Sequence, residues 1–165
     1  MRSGPPPLGK APEPKAPRTP KPGRMLLNFN VEGEDVAILE VWQDRVPVLA
    51  QKIREALPFS TFLQHGKIAG DLLLMQTKIM AAWENTYYPE DFGPERQQTK
   101  GEVRGALSFY GPRQQMSIVY GNDLASEPLP VSSIGEVIEG HDRLELIGTR
   151  AWLEPGARVW ISLIE

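Results

Sequence analysis

Short apolar runs separated by glycines make up the second half of the chain. Five of them follow one another over residues 101–164: GEVRGALSFYG, QQMSIVYG, SSIGEVIEG, DRLELIG and ARVWISLI. Runs of this length, bounded by turn residues, are typical of β-strands. Strands at such regular spacing can close into a small barrel. The pattern therefore predicts a mainly β fold, with residues 154–156 as a tight turn before the last strand.

The preceding part of the chain predicts a hairpin followed by a helix. Residues 26–31 alternate between apolar and polar positions and predict a strand, residues 35–42 (DVAILEVW) predict a second one, and a short turn that contains a glycine joins them. Asp44 is a candidate N-cap for the helix, Pro47 suits its first turn, and Pro58 ends it. The apolar residues at helical spacing, which predict the face that packs on the barrel, are Val46, Leu49, Ile53 and Leu57.

The middle of the chain gives a weaker pattern. Residues 62–68 are compatible with a strand, and residues 71–80 are apolar enough for either a strand or a helix. Residues 81–88 (AAWENTYY) predict a strand that carries several large rings. Residues 89–100 contain two prolines and mostly polar side chains, which is typical of a loop.

Charge and proline content divide the chain into two parts. Eight of the 16 prolines lie in residues 5–22, and proline favours extended chain without internal hydrogen bonds. Residues 1–24 carry a net charge of +5, whereas residues 25–165 carry a net charge of −8. We therefore expect a disordered, basic, proline-rich tail over residues 1–24 and one folded domain over residues 25–165.

The composition excludes several classes of function. The chain has no cysteine, which rules out disulfides and thiolate chemistry and suits a cytoplasmic protein. An acidic folded domain is a poor match for nucleic acid, whose phosphates need a basic surface. The chain contains no stretch of 18 apolar residues, so the sequence predicts no membrane-spanning helix. We also expect no metal site and no bound cofactor, because the two histidines are far apart and no phosphate-binding glycine motif is present.

A series of short motifs runs along the folded part of the chain. They are Leu57-Pro58 at the end of the helix, Trp83-Glu84, Gly101-Glu102-Val103, Phe109-Tyr110-Gly111, Ile118-Val119-Tyr120-Gly121, Ile134-Gly135-Glu136-Val137 and Gly156-Ala157. This series resembles the small bacterial cyclophilin-like families of unknown function. The match covers most of residues 25–165, and the resemblance implies a closed cyclophilin-like β-barrel of about eight strands with one main α-helix.

The same resemblance argues against peptidyl-prolyl isomerase activity. Prolyl isomerases of this fold carry a Phe-His-Arg segment after the first helix, and its arginine polarises the prolyl carbonyl. The corresponding residues 58–66 read PFSTFLQHG and contain no arginine. A fixed donor is needed to favour the twisted amide of the transition state. Arg104 or Arg113 could supply such a donor only from another strand.

Three residues are candidate acid–base groups. Glu84 lies in the aromatic segment of residues 83–88, and Glu102 follows a turn glycine near the strands that carry Tyr110 and Tyr120. A carboxylate among rings has its pKa raised by desolvation, which prepares it as a general base. His65 lies in the segment that corresponds to the isomerase site. For each of the three, a structural or solvated role is the alternative interpretation.

These residues lead to one main functional expectation and two alternatives. We expect a cytoplasmic protein that binds or acts on a small amide or carboxylate in a pocket on the barrel face. The predicted substrate-binding residues are Trp83, Tyr88, Tyr110, Arg113 and Tyr120, with Glu102, Glu84 and His65 as candidate catalytic residues. The first alternative is a structural or partner-binding subunit, and the second is a prolyl isomerase. A homo-oligomer is compatible with each of these functions.

Overall fold

The computed structural model describes residues 15–87, 101–125 and 130–165. These residues form nine strands and two α-helices. Before the central gap they are β1 (Arg24–Val31), β2 (Glu34–Trp42), α1 (Pro47–Ala56), β3 (Phe59–His65), β4 (Gly70–Gln76) and β5 (Thr86–Tyr87). After it they are β6 (Ala106–Tyr110), β7 (Gln115–Leu124), β8 (Val131–Glu139), α2 (His141–Leu153) and β9 (Arg158–Leu163).

Eight antiparallel strands close into a barrel. Their order around the ring is β2, β1, β9, β3, β4, β7, β6 and β8, and a pairing of β8 with β2 closes it. The two-residue strand β5 adds to β8 outside the ring. The predicted hairpin of β1 and β2 is present, with Leu27 opposite Leu39. The prediction of a mainly β, closed barrel of about eight strands is confirmed.

Side chains fill the interior of the barrel. Alternate residues of each strand point inward, so that Phe29, Leu39 and Phe109 meet in one continuous core. Helix α1 adds Leu49 and Ile53 to the same core, as its apolar stripe predicted. An eight-stranded barrel is just wide enough for such side chains to occupy. A ligand site on this fold is therefore to be sought at the rim or on the outer face.

The second helix corrects a sequence prediction. The run DRLELIG was interpreted as a strand, but it lies within α2, which packs against β2, β3, β4 and β7. Leu144 and Leu146 mimic the alternation of a strand. The residues that α2 buries are instead Leu144, Gly148 and Ala151, and their spacing of four and three residues is helical. Leu146 is left exposed.

The start of α1 also differs from the prediction. Asp44 is not its N-cap, because the capping position is Val46, which has no side chain that can accept a hydrogen bond. Asp44 instead forms an ion pair with Arg24 at 2.5 Å. The carboxylate that does bind the first amides of α1 comes from a distant part of the chain and is described below.

The middle of the chain is less regular than predicted. Strand β3 begins at Phe59, three residues before the predicted start, and β4 shows that the apolar run from residue 71 begins as a strand. Within the described part of the predicted strand over residues 81–88, only Thr86–Tyr87 (β5) pairs as a strand. Asn85 has a φ of 46°, which breaks the alternation that the sequence suggested for its neighbours. Tyr88 and the predicted loop over residues 89–100 lie outside the described residues.

The basic segment before β1 contacts the acidic barrel. Arg18 pairs with Glu139 through both terminal nitrogens of its guanidinium group, and its backbone N–H donates to the carbonyl of Ile164 at 2.6 Å. Lys15 lies 3.7 Å from Asp35. Residues 1–14 lie outside the described residues, so the predicted division of the chain at residue 24 stays a prediction. Neither α1 nor α2, the two α-helices in the described ranges, is long and apolar enough to cross a membrane.

A substitution on α2 tests how closely this helix must approach the barrel. A Cβ atom at Gly148 would overlap the ring of Tyr120 on β7. Although alanine is the better helix former by about 1 kcal/mol, overpacking against a buried ring costs about 1–3 kcal/mol. We expect Gly148→Ala to lower the free energy of unfolding in urea. The matched control is Thr149→Ala at the exposed neighbouring position, and an equal effect of both would contradict the packing argument.

Candidate ligand-binding groove

A groove of about 470 Å³ crosses the outer face of strands β4, β7 and β6. The strand alternation that sends Leu73, Ile118 and Phe109 into the core leaves their neighbours facing outward. The outward side chains that line the groove are Leu72 and Leu74 of β4, Gln115, Ser117 and Val119 of β7, and Ser108 and Tyr110 of β6. The surface is mainly apolar, with a few hydroxyl and amide groups.

Two segments form walls at one end of the groove. One is the 3-10 turn Lys67–Ala69, which connects β3 to β4, and it carries Ile68 with 88% of its surface exposed. The other is the end of β7 with Ala125. The backbone N–H of Ala125 donates to the carbonyl of Ala69 at 2.8 Å. This hydrogen bond holds the two segments together.

Polar groups are few in the groove. The hydroxyls of Ser108 and Ser117 hydrogen-bond to each other across β6 and β7. Among the lining residues that the structure describes, Lys67 alone has a formal charge at pH 7, apart from what His65 carries when protonated. The Nζ atom of Lys67 lies 5.6 Å from the ring centre of Trp152 on α2. Such a mainly apolar lining with a few polar groups is common in sites for small molecules.

His65 lies at one end of the groove, in contact with two aromatic side chains. Its Nε2 atom is 2.6 Å from the hydroxyl of Tyr120, and its ring meets Trp152 edge-on with 4.6 Å between ring centres. Its Nδ1 atom is buried and has no hydrogen-bond partner among the described residues. Burial lowers the pKa of His65; the negative charge of Asp71 opposes this shift and the positive charge of Lys67 adds to it.

Tyr120 is held in its neutral form by the same surroundings. Burial, together with the negative charge of Asp71, raises the pKa of Tyr120 to about 12. Asp71 lies at the start of β4, and its Oδ2 atom accepts a hydrogen bond from the backbone N–H of Asp123. The hydroxyl of a neutral tyrosine can donate a hydrogen bond to Nε2 of His65 or accept one from it, depending on the tautomer of the imidazole. The sequence predicted His65 and Tyr120 separately, and the structure brings them together.

The two predicted catalytic carboxylates lie elsewhere. Glu84 accepts hydrogen bonds from the backbone N–H groups of Leu49 at 2.6 Å and Val48 at 3.2 Å, so it binds the N-terminus of α1. A negative charge is favoured there because the first amides of a helix are unpaired. Glu102 forms an ion pair with Arg104 at 2.5 Å. Neither carboxylate lines the groove.

Arg104 links the Glu102 turn to α2. Its guanidinium contacts Asp142 and Glu145 of that helix, each at 3.1 Å, in addition to Glu102. Glu102 and Asp142 raise the pKa of Arg104, and the hydrogen bond that Arg104 donates to Glu102 contributes most. Glu102, the carboxylate that follows the turn glycine, therefore helps to hold α2 through Arg104. The expectation that Glu102 lies among tyrosine rings is not met.

The predicted binding residues are only partly brought together. Tyr110 lines the groove, and Trp83 packs edge-on against it with 6.0 Å between ring centres. Arg113 lies in the exposed 3-10 turn Gly111–Arg113 between β6 and β7 and does not line the groove. Tyr88 lies outside the described residues. Over residues 15–87, 101–125 and 130–165, no three His, Asp or Glu side chains are grouped to hold a metal ion.

Sequence reasoning missed three groups around the groove. Lys67, Asp71 and the pair formed by Ser108 and Ser117 were not among the predicted site residues. The signal for Ser108 and Ser117 was present, since each polar residue lies between two apolar ones in its strand. The position of Lys67 depends on the turn between β3 and β4, which the sequence did not delimit.

Comparisons with known proteins indicate the fold. No protein-family model and no curated protein sequence matches the chain. Among solved structures, McbB in complex with tryptophan aligns with a TM-score of 0.66 at 18% identity, over 82% of this chain and 44% of McbB. The hypothetical protein AF2241 from Archaeoglobus fulgidus aligns with a TM-score of 0.59 at 16% identity, over 85% of this chain and 95% of its own.

These two likenesses support a barrel fold shared with proteins of very different sequence. The chain spans less than half the length of McbB. At 16–18% identity, a structural match shows the fold alone. The more specific resemblance to cyclophilin-like families stays a prediction.

Removing Glu84 should weaken helix α1. Because Val46 offers no capping side chain, Glu84→Ala leaves the N–H groups of Val48 and Leu49 without their acceptor. We expect a loss of about 1 kcal/mol in the free energy of unfolding. Glu55→Ala, which removes an exposed carboxylate from the same helix, is the control. Chemical denaturation measures both, and an unchanged stability for Glu84→Ala would refute the capping role.

The lowered pKa of His65 predicts how stability depends on pH. The unfolded chain binds a proton at a histidine pKa of about 6.5, whereas folded His65 resists protonation. Protons then favour the unfolded state, so the contribution of His65 is complete above pH 6.5 and falls as pH decreases. We expect His65→Gln to reduce the loss of stability between pH 7.5 and pH 5, measured by urea titrations. His141→Gln is the control; identical pH dependence of wild type and His65→Gln would contradict the prediction.

Proposed function

We propose that this protein binds a small molecule with an apolar body in the groove across β4, β7 and β6. The observation that carries the proposal is the groove itself. Its volume of about 470 Å³ lies within the range of small-molecule sites, and its walls are apolar except for a few polar groups. The packed interior of the barrel supports the same choice, since its space is taken by core side chains.

An amide or a carboxylate remains the expected polar group of the ligand. The hydroxyls of Ser108 and Ser117 and the amide of Gln115 can exchange hydrogen bonds with either, and Lys67 can pair with an anion. Tryptophan, which is bound in the McbB structure, has a suitable apolar ring and a carboxylate and is a reasonable first probe. Its use as a probe rests on the barrel likeness and on the lining of the groove.

Binding, rather than catalysis, is the function that the side chains support best. The Nε2 atom of His65 is engaged by Tyr120, and Nδ1 is buried, so neither nitrogen faces a ligand in this conformation. Glu84 and Glu102 are occupied by α1 and Arg104. A base role for His65 would need its ring to turn away from Tyr120. We further propose a bacterial, cytoplasmic protein, which is supported by the family resemblance and the absence of cysteine.

Filling the groove should abolish binding. Ala125 lies in one wall, and a large ring there would occupy the space beside Ile68 and Leu72 without entering the core. We expect Ala125→Trp to eliminate the thermal stabilisation that any hit from a metabolite library, with tryptophan and indole acids included, gives the wild type. Thr149→Trp, which adds the same ring to the exposed face of α2, is the matched control.

Three outcomes would count against the proposal. The first is that no compound of the library stabilises the wild-type protein. The second is that hits stabilise Ala125→Trp as strongly as the wild type, which would place their site away from the groove. Loss of stabilisation in both tryptophan variants would likewise count against it, because the effect would then not be specific to the groove.

A further inference from the structure

One described side chain supplies the permanent charge at the groove. Of the lining residues within the described ranges, Lys67 is the one that is charged at neutral pH, and residues 25–165 carry a net charge of −8. The 3-10 turn Lys67–Ala69 places this cation at the end of the groove where His65 lies. An anion approaching this acidic protein therefore meets a local positive charge next to the apolar surface.

Lys67 is available for such a partner. Among the residues that the structure describes, no carboxylate lies within ion-pair distance of its ammonium group, and its contact is with the face of Trp152 at 5.6 Å. A cation at that distance over an indole gains only a modest attraction. At His65, the positive charge of Lys67 acts together with the negative charge of Asp71, which opposes it and has the larger effect on the pKa of His65; Asp71 does not line the groove. The ammonium can move from the ring to an anion at little cost.

The other polar groups discriminate less between ligands. Ser108 and Ser117 hydrogen-bond to each other, so one of their two O–H donors is already used. Both residues are buried in the groove floor. What they and Gln115 still offer suits a neutral amide and a carboxylate alike. The group that separates these two ligand classes is Lys67, because only an ion gains from its charge.

We propose that the groove selects carboxylates over neutral amides, and that Lys67 is the residue that determines this specificity. The apolar body of the ligand lies on Leu72, Leu74 and Val119, and its carboxylate pairs with the Lys67 ammonium at the His65 end. This inference rests on the proposed function. It goes further by assigning the ligand to one chemical class, apolar monocarboxylates, and by naming the side chain that binds the carboxylate.

A matched pair of probes tests the inference. Indole-3-propionate and its neutral amide differ only in the charged group, and isothermal titration calorimetry gives the affinity of each for the full chain. An ion pair at a partly exposed site is worth about a fivefold change in affinity. We expect the acid to bind about fivefold more tightly than the amide. Rising salt should weaken only the acid, because screening acts on the charge.

Two lysine variants complete the test. Lys67→Gln should reduce the affinity for the acid to that for the amide and leave the amide unchanged. Lys52→Gln, at an exposed position of α1 outside the groove, should leave both affinities as in the wild type. This control separates the local effect of Lys67 from a change in net charge, which is the same in both variants.

The outcomes separate the two proposals. If the wild type binds acid and amide equally, or if Lys67→Gln retains the preference for the acid, the carboxylate inference is wrong while the groove remains a ligand site. If neither probe binds at millimolar concentration and no library compound does, the proposed function fails and the inference fails with it. If Lys52→Gln weakens the acid as much as Lys67→Gln, the preference reflects net charge and the role of Lys67 is refuted.

Discussion

The pairing of β2 with β8 is the contact on which the rest of the barrel depends. It joins the first hairpin to the last part of the sheet, with Val41 opposite Gly135, and thereby leaves none of the eight ring strands with a free edge. A Cβ atom at position 135 would overlap the carbonyl oxygen of Glu40. Glycine at this position therefore lets the two backbones approach closely enough to pair. Through this closure, residues about 95 positions apart in sequence become neighbours.

Closure also decides where function can lie. A ring of eight strands encloses little more than its own side chains, and Phe29, Leu39 and Phe109 take that space together with residues of α1. Helix α2 packs against β2, β3, β4 and β7 and brings Gly148 against Tyr120. The outer face of β4, β7 and β6 forms the groove. Along each of these strands, alternate side chains point into the core and out into the groove. The packing of the core and the position of the groove thus follow from the same alternation.

The sequence was a good guide to elements whose pattern is local. The hairpin of β1 and β2 and the stripe of Leu49 and Ile53 on α1 follow from periodicity alone. Helix α2 was misread because Leu144 and Leu146 alternate over a short run, whereas the residues it buries repeat at helical spacing over a longer one. Asn85, whose φ is positive, breaks the strand that the alternation of side chains predicted over residues 81–88.

The functional residues were harder to predict for a different reason. Glu84 binds amides 35 and 36 residues earlier in the chain, and Arg104 meets carboxylates about 40 residues later. No local pattern contains such partners, so an isolated carboxylate looked like a candidate base. His65 and Tyr120 were found by residue type, but their hydrogen bond spans 55 positions and needs the barrel to form. Tertiary pairing, rather than composition, assigns these side chains their roles.

The contact between His65 and Trp152 gives the molecule an optical sensor of its own. The indole of Trp152 is 40% exposed and touches both the imidazole of His65 and the ammonium of Lys67, each of which belongs to the segment that borders the groove. Indole emission responds to the charge and the distance of such neighbours. Movements of the groove wall are consequently coupled to an indole on a different element, and fluorescence can follow them in a variant that retains Trp152 as its one tryptophan.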